Sequence, residues 1–235
     1  MAETLYAIPT PLGGAPDRAL PADALEKVRA LRDFVAENAK SARAFLSAVG
    51  MPCALRELSI EVLDEHTPGG SIAALLEPLR RGRPLGLVSE AGCPAVADPG
   101  AALVEAAHRE GFRVVPLIGP CAIVLALMAS GLEGQRFAFS GYLPREAAAR
   151  ERRIAELEQR SRRERETQIF IETPYRNEAM LASLLKVCAP ATRLCVASDL
   201  TLPTEVVRVR GIVQWRNAPP GAIGRRPSVF LLLAG

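Results

Sequence analysis

The chain has 235 residues, 49% hydrophobic and 23% charged, with a formal net charge of +3 at pH 7. That balance excludes an intrinsically disordered chain, and the length is enough to bury a core in one large or two small domains. So small a net charge does not by itself establish a nucleic-acid partner. No apolar run is long enough to span a membrane. The first residues lack the basic start and apolar core of a signal peptide, so a cytoplasmic protein is expected.

Strand and helix patterns alternate along the chain. Apolar runs at 5–8, 33–36, 58–63, 85–88 and 113–118 predict strands. The stretches near 22–30, 39–49, 70–81, 100–110 and 121–130 predict helices, an order that argues for an α/β fold with a mostly parallel sheet. Gly131–Arg136 breaks the pattern and marks a boundary. Beyond it, Phe137–Gly141, Gln168–Glu172, Arg193–Ala197, Glu205–Arg210 and Ser228–Leu233 read as strands. Glu146–Arg165 and Glu178–Cys188 read as helices. The expected organisation is therefore an α/β domain over 1–135 and a second over 136–235.

Three strand exits carry Gly and Pro in place of long side chains. Pro9-Thr10-Pro11-Leu12-Gly13-Gly14 follows the first strand, Ser89–Gly100 follows the run Leu85–Val88, and Leu117-Ile118-Gly119-Pro120-Cys121 precedes a helix of small residues. Glycine admits backbone angles that other residues resist, and proline fixes φ. Such loops are stiff and present main chain. In open α/β sheets, ligands bind at the carboxyl ends of strands. Three loops of this kind predict one composite cleft.

The three loops, in this order and spacing, resemble those of the tetrapyrrole methylase superfamily, the class III S-adenosylmethionine methyltransferases. The resemblance is nearest to the superfamily's 16S ribosomal RNA cytidine 2′-O-methyltransferase branch. It rests on Pro9–Gly13, Glu90–Gly100 and Ile118–Ala122. Phe139–Pro144, Ile169–Glu172, Asp199-Leu200-Thr201 with Glu205, and the closing Phe230–Gly235 add to it. Glu90 stands where the family usually has Asp, Cys93 where it has Thr, and Glu37-Asn38-Ala39-Lys40 where it has Glu-Asp-Thr-Arg.

The resemblance implies two α/β domains with a cofactor cleft between them, and S-adenosyl-L-methionine as the cofactor. It places cofactor contacts at Pro11, Leu12, Ala91, Gly92, Cys93, Val96, Cys121 and Ala122, with Ile171 and Leu200 from the second domain. It also implies a homodimer. Methyl transfer to a ribose hydroxyl calls for a positioned base. Glu37, Glu90, Asp98 and Glu172 are the candidates, with Glu172, Asp98 and Glu37 preferred, although Asp98 before Pro99 also has the character of a turn former.

Ribosomal RNA or the small ribosomal subunit is the expected partner. Nearly all the positive charge is Arg, the better fork for phosphate; Lys occurs only at 27, 40 and 186. Arginines cluster at 145–165, 208–216 and 225–226, and Tyr175-Arg176-Asn177 combines a stacking ring, a guanidinium and an amide suited to a nucleotide. The pairs Glu146–Arg150 and Glu156–Arg160 have the spacing of helix-surface ion pairs. The five scattered cysteines read as reduced thiols. His66 and His108 have no ligand-spaced partners, so no metal is expected. Two alternatives stay open: methylation of a small acidic substrate such as a tetrapyrrole, and a non-catalytic cofactor-binding relative.

Overall fold

The computed structural model describes residues 3–64, 66–217 and 223–235. The chain forms two compact units, Met1–Cys121 and Ala122–Gly235.

The first unit contains β1 (Thr4–Ile8), α1 (Pro16–Ala19), α2 (Ala22–Ala30), β2 (Asp33–Ala36), α3 (Ala39–Val49), β3 (Ser59–Val62), α4 (Gly69–Ile72), α5 (Glu77–Arg80), β4 (Leu85–Val88), α6 (Gly100–Arg109) and β5 (Arg113–Pro116). Its sheet is parallel throughout, in the order β3-β2-β4-β1-β5. Both faces are covered, as parallel sheets require. Neighbouring residues on a strand serve opposite faces, because successive side chains alternate. Phe34, Val88 and Ile8 join a core with Val28 and Leu46. Val35, Leu87 and Leu5 join another with Leu79 and Leu103. The helix expected over 70–81 is interrupted: α4 passes through a 3₁₀ turn at Ala73–Leu76 before α5, which begins at Glu77 with Pro78 in its first turn.

The second unit contains α7 (Ala122–Ser130), β6 (Phe137–Tyr142), α8 (Ala147–Glu164), β7 (Thr167–Glu172), α9 (Asn177–Val187), β8 (Arg193–Ser198), β9 (Val206–Gly211), α10 (Ile212–Arg216) and β10 (Ser228–Leu233). The strand order is β6-β7-β10-β8-β9, and only β6 and β7 run parallel. Here the structure differs from the mostly parallel reading. The link from β8 to β9 holds no helix, and a short link joins antiparallel strands. Phe170 and Phe230 lie opposite each other in register and stack with centroids 5.7 Å apart. Such a pair adds about 1 kcal/mol beyond its buried area.

The boundary between units also falls earlier than 135/136. Helix α7, Ala-Ile-Val-Leu-Ala-Leu-Met-Ala-Ser, is apolar nearly all round and packs on β8, β9 and β10. That packing places it with the second unit, although Val124 and Met128 stay exposed.

Candidate functional site

The order β2-β4-β1-β5 sets four strand exits side by side along one edge of the first sheet. The strands end nearly flush, with Ala36 and Ile8 both in register with Val88, and Ala7 with Pro116. All the expected first-domain site residues up to Cys121 lie on the loops leaving this edge.

Contacts between each pair of the three loops lock them together. Thr10 N–H donates to Gly92 O at 2.9 Å and Gly92 N–H to Thr10 O at 3.1 Å. Thr10 Oγ1 lies 3.3 Å from Ser89 Oγ, and Ser89 Oγ donates to Gly92 O at 2.5 Å. The β1 exit meets the β5 exit at Gly119, where a Cβ would stand 2.4 Å from Pro9 Cβ. The β4 exit meets the β5 exit where Cys93 Sγ donates to Pro120 O at 3.5 Å. Gly92 has φ +78°, and a Cβ there would lie 3.3 Å from Leu12 Cδ2 and 3.5 Å from Pro120 O. The positive φ makes any other residue strained there, and its Cβ would press on the Leu12 side chain.

The β4 exit loop is held from within by Asp98. Its Oδ1 accepts from Ala95 N–H at 2.7 Å and Gly100 N–H at 2.8 Å. Ala95 and Ala97 both sit at positive φ, 64° and 61°. Two non-glycine residues there store strain of about 1–3 kcal/mol each, which the surrounding contacts must hold. Burial pushes the Asp98 carboxyl above the usual aspartate range, against the opposing effect of its two backbone donors. Pro11, Leu12 and Cys93 are half-buried around Gly92, while Ala91 and Val96 are exposed. Glu37 follows β2, and Asn38 caps α3 by accepting from Lys40 N–H at 2.8 Å. Ser41 Oγ donates to Glu90 Oε1 at 2.9 Å, tying the start of α3 to the β4 exit.

In the second unit, Glu172 ends β7 with its side chain buried. Its Oε1 accepts from Thr173 N–H at 2.7 Å, from Arg176 Nε at 2.8 Å and from Arg176 Nη2. Ile171 is half-buried on the same strand, and Ala122 opens α7. Leu200 is buried in the link after β8, between Asp199 and Thr201, both at positive φ. The geometry of Tyr175-Arg176-Asn177 corrects the expectation of a nucleotide-facing trio. Arg176 is spent on Glu172. Asn177 is fully buried and donates through Nδ2 to Arg226 O at 2.7 Å and Gly224 O at 3.1 Å. Tyr175 alone of the three is exposed.

The arginine clusters divide in the same way. Arg150 turns inward to Ser183 Oγ at 2.9 Å, while Glu146 caps α8 by accepting from Ala148 and Ala149 N–H. Glu156 pairs with Arg153, and Arg160 with Glu166. Of the i,i+4 pairs expected from spacing, Glu146–Arg150 gives way to capping and packing, and Glu156–Arg160 to ion pairs with other partners. Arg216 donates to Leu185 O and Cys188 O, and Arg226 to Ile223 O. Arg210 lies over the Trp215 ring at 5.5 Å. Arg225 is exposed.

Among the described residues, no group of three or more His, Cys, Asp or Glu is placed to hold a metal ion, and no helix is long and apolar enough to cross a membrane.

The chain is 32% identical over 207 residues to ribosomal RNA small subunit methyltransferase I of Vibrio cholerae, an alignment that spans 88% of this chain and 68% of that protein. It belongs to the ribosomal RNA small subunit methyltransferase I family. No family model matches the chain. The fold of this family member is that of the tetrapyrrole methylases. The methyltransferase CobJ superposes with a TM-score of 0.64 at 20% identity, covering 100% of this chain and 95% of that one. Uroporphyrin-III-C-methyltransferase from Thermus thermophilus superposes with a TM-score of 0.54 at 20% identity, covering 99% and 93%. The chain is thus a methyltransferase, and its three interlocked loops lie at the strand exits of that fold.

Proposed function

We propose that this enzyme transfers a methyl group from S-adenosyl-L-methionine to a ribose 2′-oxygen of small-subunit ribosomal RNA. One observation carries the reading: the β1, β4 and β5 exits are interlocked on one sheet edge of a chain that belongs to this family. The residues present fit the cofactor. Pro9–Gly14, Ser89–Gly100 and Leu117–Cys121 contain no Lys or Arg, and their only charges are Glu90 and Asp98. That suits a cationic sulfonium. Leu12 and Val96 offer apolar wall for adenine, and Ala91, Gly92 and Cys93 offer main-chain groups. When bound, the cofactor supplies an electrophilic methyl group for in-line displacement, where alignment accounts for much of the rate.

Asp98 and Glu172 each hold their own loop, Asp98 through Ala95 and Gly100, Glu172 through Thr173. We assign them to positioning. By its place directly after β2, the strand that pairs with β4, Glu37 is our choice for accepting the ribose hydroxyl proton. The arginine-rich second unit is our choice for the RNA-facing surface, through exposed residues such as Arg225. We place the enzyme in the cytoplasm as a homodimer, for which the exposed Val124 and Met128, four residues apart on α7, offer apolar contact.

Transfer of radiolabelled methyl to purified small ribosomal subunits, set beside transfer to porphyrin precursors, tests the proposal. Label in the RNA at a ribose supports it. Label only in the porphyrin precursor, or in neither, overturns it.

A further inference from the structure

Two of the five cysteines meet on the interlocked loops. The Cys93 thiol, on the β4 exit, donates to the carbonyl of Pro120, the residue next to Cys121 on the β5 exit, at 3.5 Å. The Cys121 side chain is near enough to act on the ionisation of the Cys93 thiol. Both are free thiols and both are partly solvent-accessible. The two backbones are already adjacent, since Pro120 O lies 3.5 Å from where a Gly92 Cβ would stand. The remaining cysteines differ. Cys53 packs against the apolar core around Phe34 and Leu46, and Cys188 and Cys195 are buried in the second unit.

We propose that Cys93 and Cys121 are an oxidation site, a dithiol that a hydroperoxide converts to a disulfide bridging the β4 and β5 exits. The chemistry balances in two steps. The Cys121 sulfur attacks the hydroperoxide O–O bond and becomes a sulfenic acid, releasing water or an alcohol. The Cys93 sulfur then attacks the Cys121 sulfur, forming the S–S bond and releasing water. The two thiols together lose two electrons and two protons, and the peroxide gains them. The order follows from the surroundings. Burial and the neighbouring Cys121 sulfur push the Cys93 thiol up to about 11, which disfavours Cys93 as the first sulfur to attack the peroxide. Burial holds Cys188 and Cys195 at about 12, which leaves them inert to the same reagent.

Closing the bridge draws Cys93 off the Pro120 carbonyl and fixes two loops at a sulfur–sulfur distance. Resting on the cofactor reading above, this lowers cofactor affinity. The oxidised enzyme is then a resting form that thiol reductants restore.

The test treats the whole chain with hydrogen peroxide, caps remaining thiols with maleimide, and maps peptides by mass spectrometry. The expected product is a linked Cys93–Cys121 peptide, two hydrogens lighter than the separate peptides and separated by dithiothreitol. Cys93→Thr and Cys121→Ser each abolish it, while Cys53→Ser does not. Calorimetric titration of S-adenosylhomocysteine into reduced and oxidised protein should show affinity falling about tenfold on oxidation, a usual coupling factor. Sulfinic acid at Cys121 without the link, or links only between separate chains, overturns the site. A link that leaves affinity unchanged overturns the coupling. A link in protein whose reduced form binds no S-adenosylhomocysteine supports the oxidation site and removes the cofactor reading instead.

Discussion

Thr10 and Gly92 exchange both backbone hydrogen bonds, at 2.9 and 3.1 Å, although their strands β1 and β4 have already ended. The ladder between parallel strands thus continues as an isolated antiparallel bridge between two loops. The bridge holds the β1 and β4 exits in one geometry and fixes Gly92 at a positive φ under the Leu12 side chain.

Gly92→Val should therefore lose S-adenosylmethionine binding while remaining folded. The side chain meets Leu12 and Pro120 and resists the backbone angle, at a strain of about 1–3 kcal/mol. Calorimetry with the cofactor, alongside circular dichroism, checks it. Wild-type affinity in the folded variant would show that the loop is only a connection.

Gly119→Ala should lower stability by about 1–3 kcal/mol, because its methyl would have to displace the rigid Pro9 ring at 2.4 Å. Urea denaturation measures the loss. Gly14→Ala serves as a comparison: nothing lies within 4 Å of its added Cβ, so only the cost of its φ of +80° remains.

Asp98 has a pH signature. Burial raises its carboxyl above the unfolded value. Between the two values the native state holds more protons than the unfolded chain, so this group's contribution falls as pH rises through that acid window and is constant above it. Asp98→Asn keeps an acceptor for Ala95 and Gly100 and removes the ionisation. Its melting temperature should gain on the parent's as pH is raised from about 3 to 7. A constant difference across that range contradicts the assignment. Asp98→Ala, which leaves two backbone donors without their acceptor, should cost about 1–3 kcal/mol.

Glu172 and Arg176 should behave as one unit. Removing one partner leaves the other's charge unpaired and largely buried, at a cost on the order of 3 kcal/mol. Glu172→Gln and Arg176→Ala should each lower stability, and the double variant should lose clearly less than the two losses added. A double-mutant cycle in urea reads the coupling. Strict additivity would mean that the pair does not hold the end of β7.

RNA binding separates the exposed arginines from the committed ones. Arg225→Ala should reduce the slope of log affinity against log salt by about 0.7–0.9 for each phosphate that the arginine neutralises. Arg176→Ala should leave that slope unchanged once folded protein is used. Affinity for small-subunit RNA across a salt series decides it, and an unchanged slope for Arg225→Ala removes that arginine from the interface.

The sequence by itself determined where most strands and helices lie and which loops matter. Hydrophobic period fixes which face of a local segment is buried, and Gly and Pro mark chain that neither element accommodates. Phe34 and Val35, or Leu87 and Val88, can be assigned to opposite faces with no knowledge of their neighbours. Strand order is a different matter, because a parallel strand pairs with partners that periodicity does not name. Only the tertiary structure set β4, β1 and β5 side by side, and so brought Thr10 to Gly92 and Cys93 to Cys121. It also decided which charges are surface. Arg150, Arg176 and Arg226 read in sequence like any exposed arginine, yet Ser183, Glu172 and the Ile223 carbonyl claim them. Ser183 reaches Arg150 from another helix, and even where the partner is only three or four residues away, the desolvation that makes pairing necessary exists only after packing.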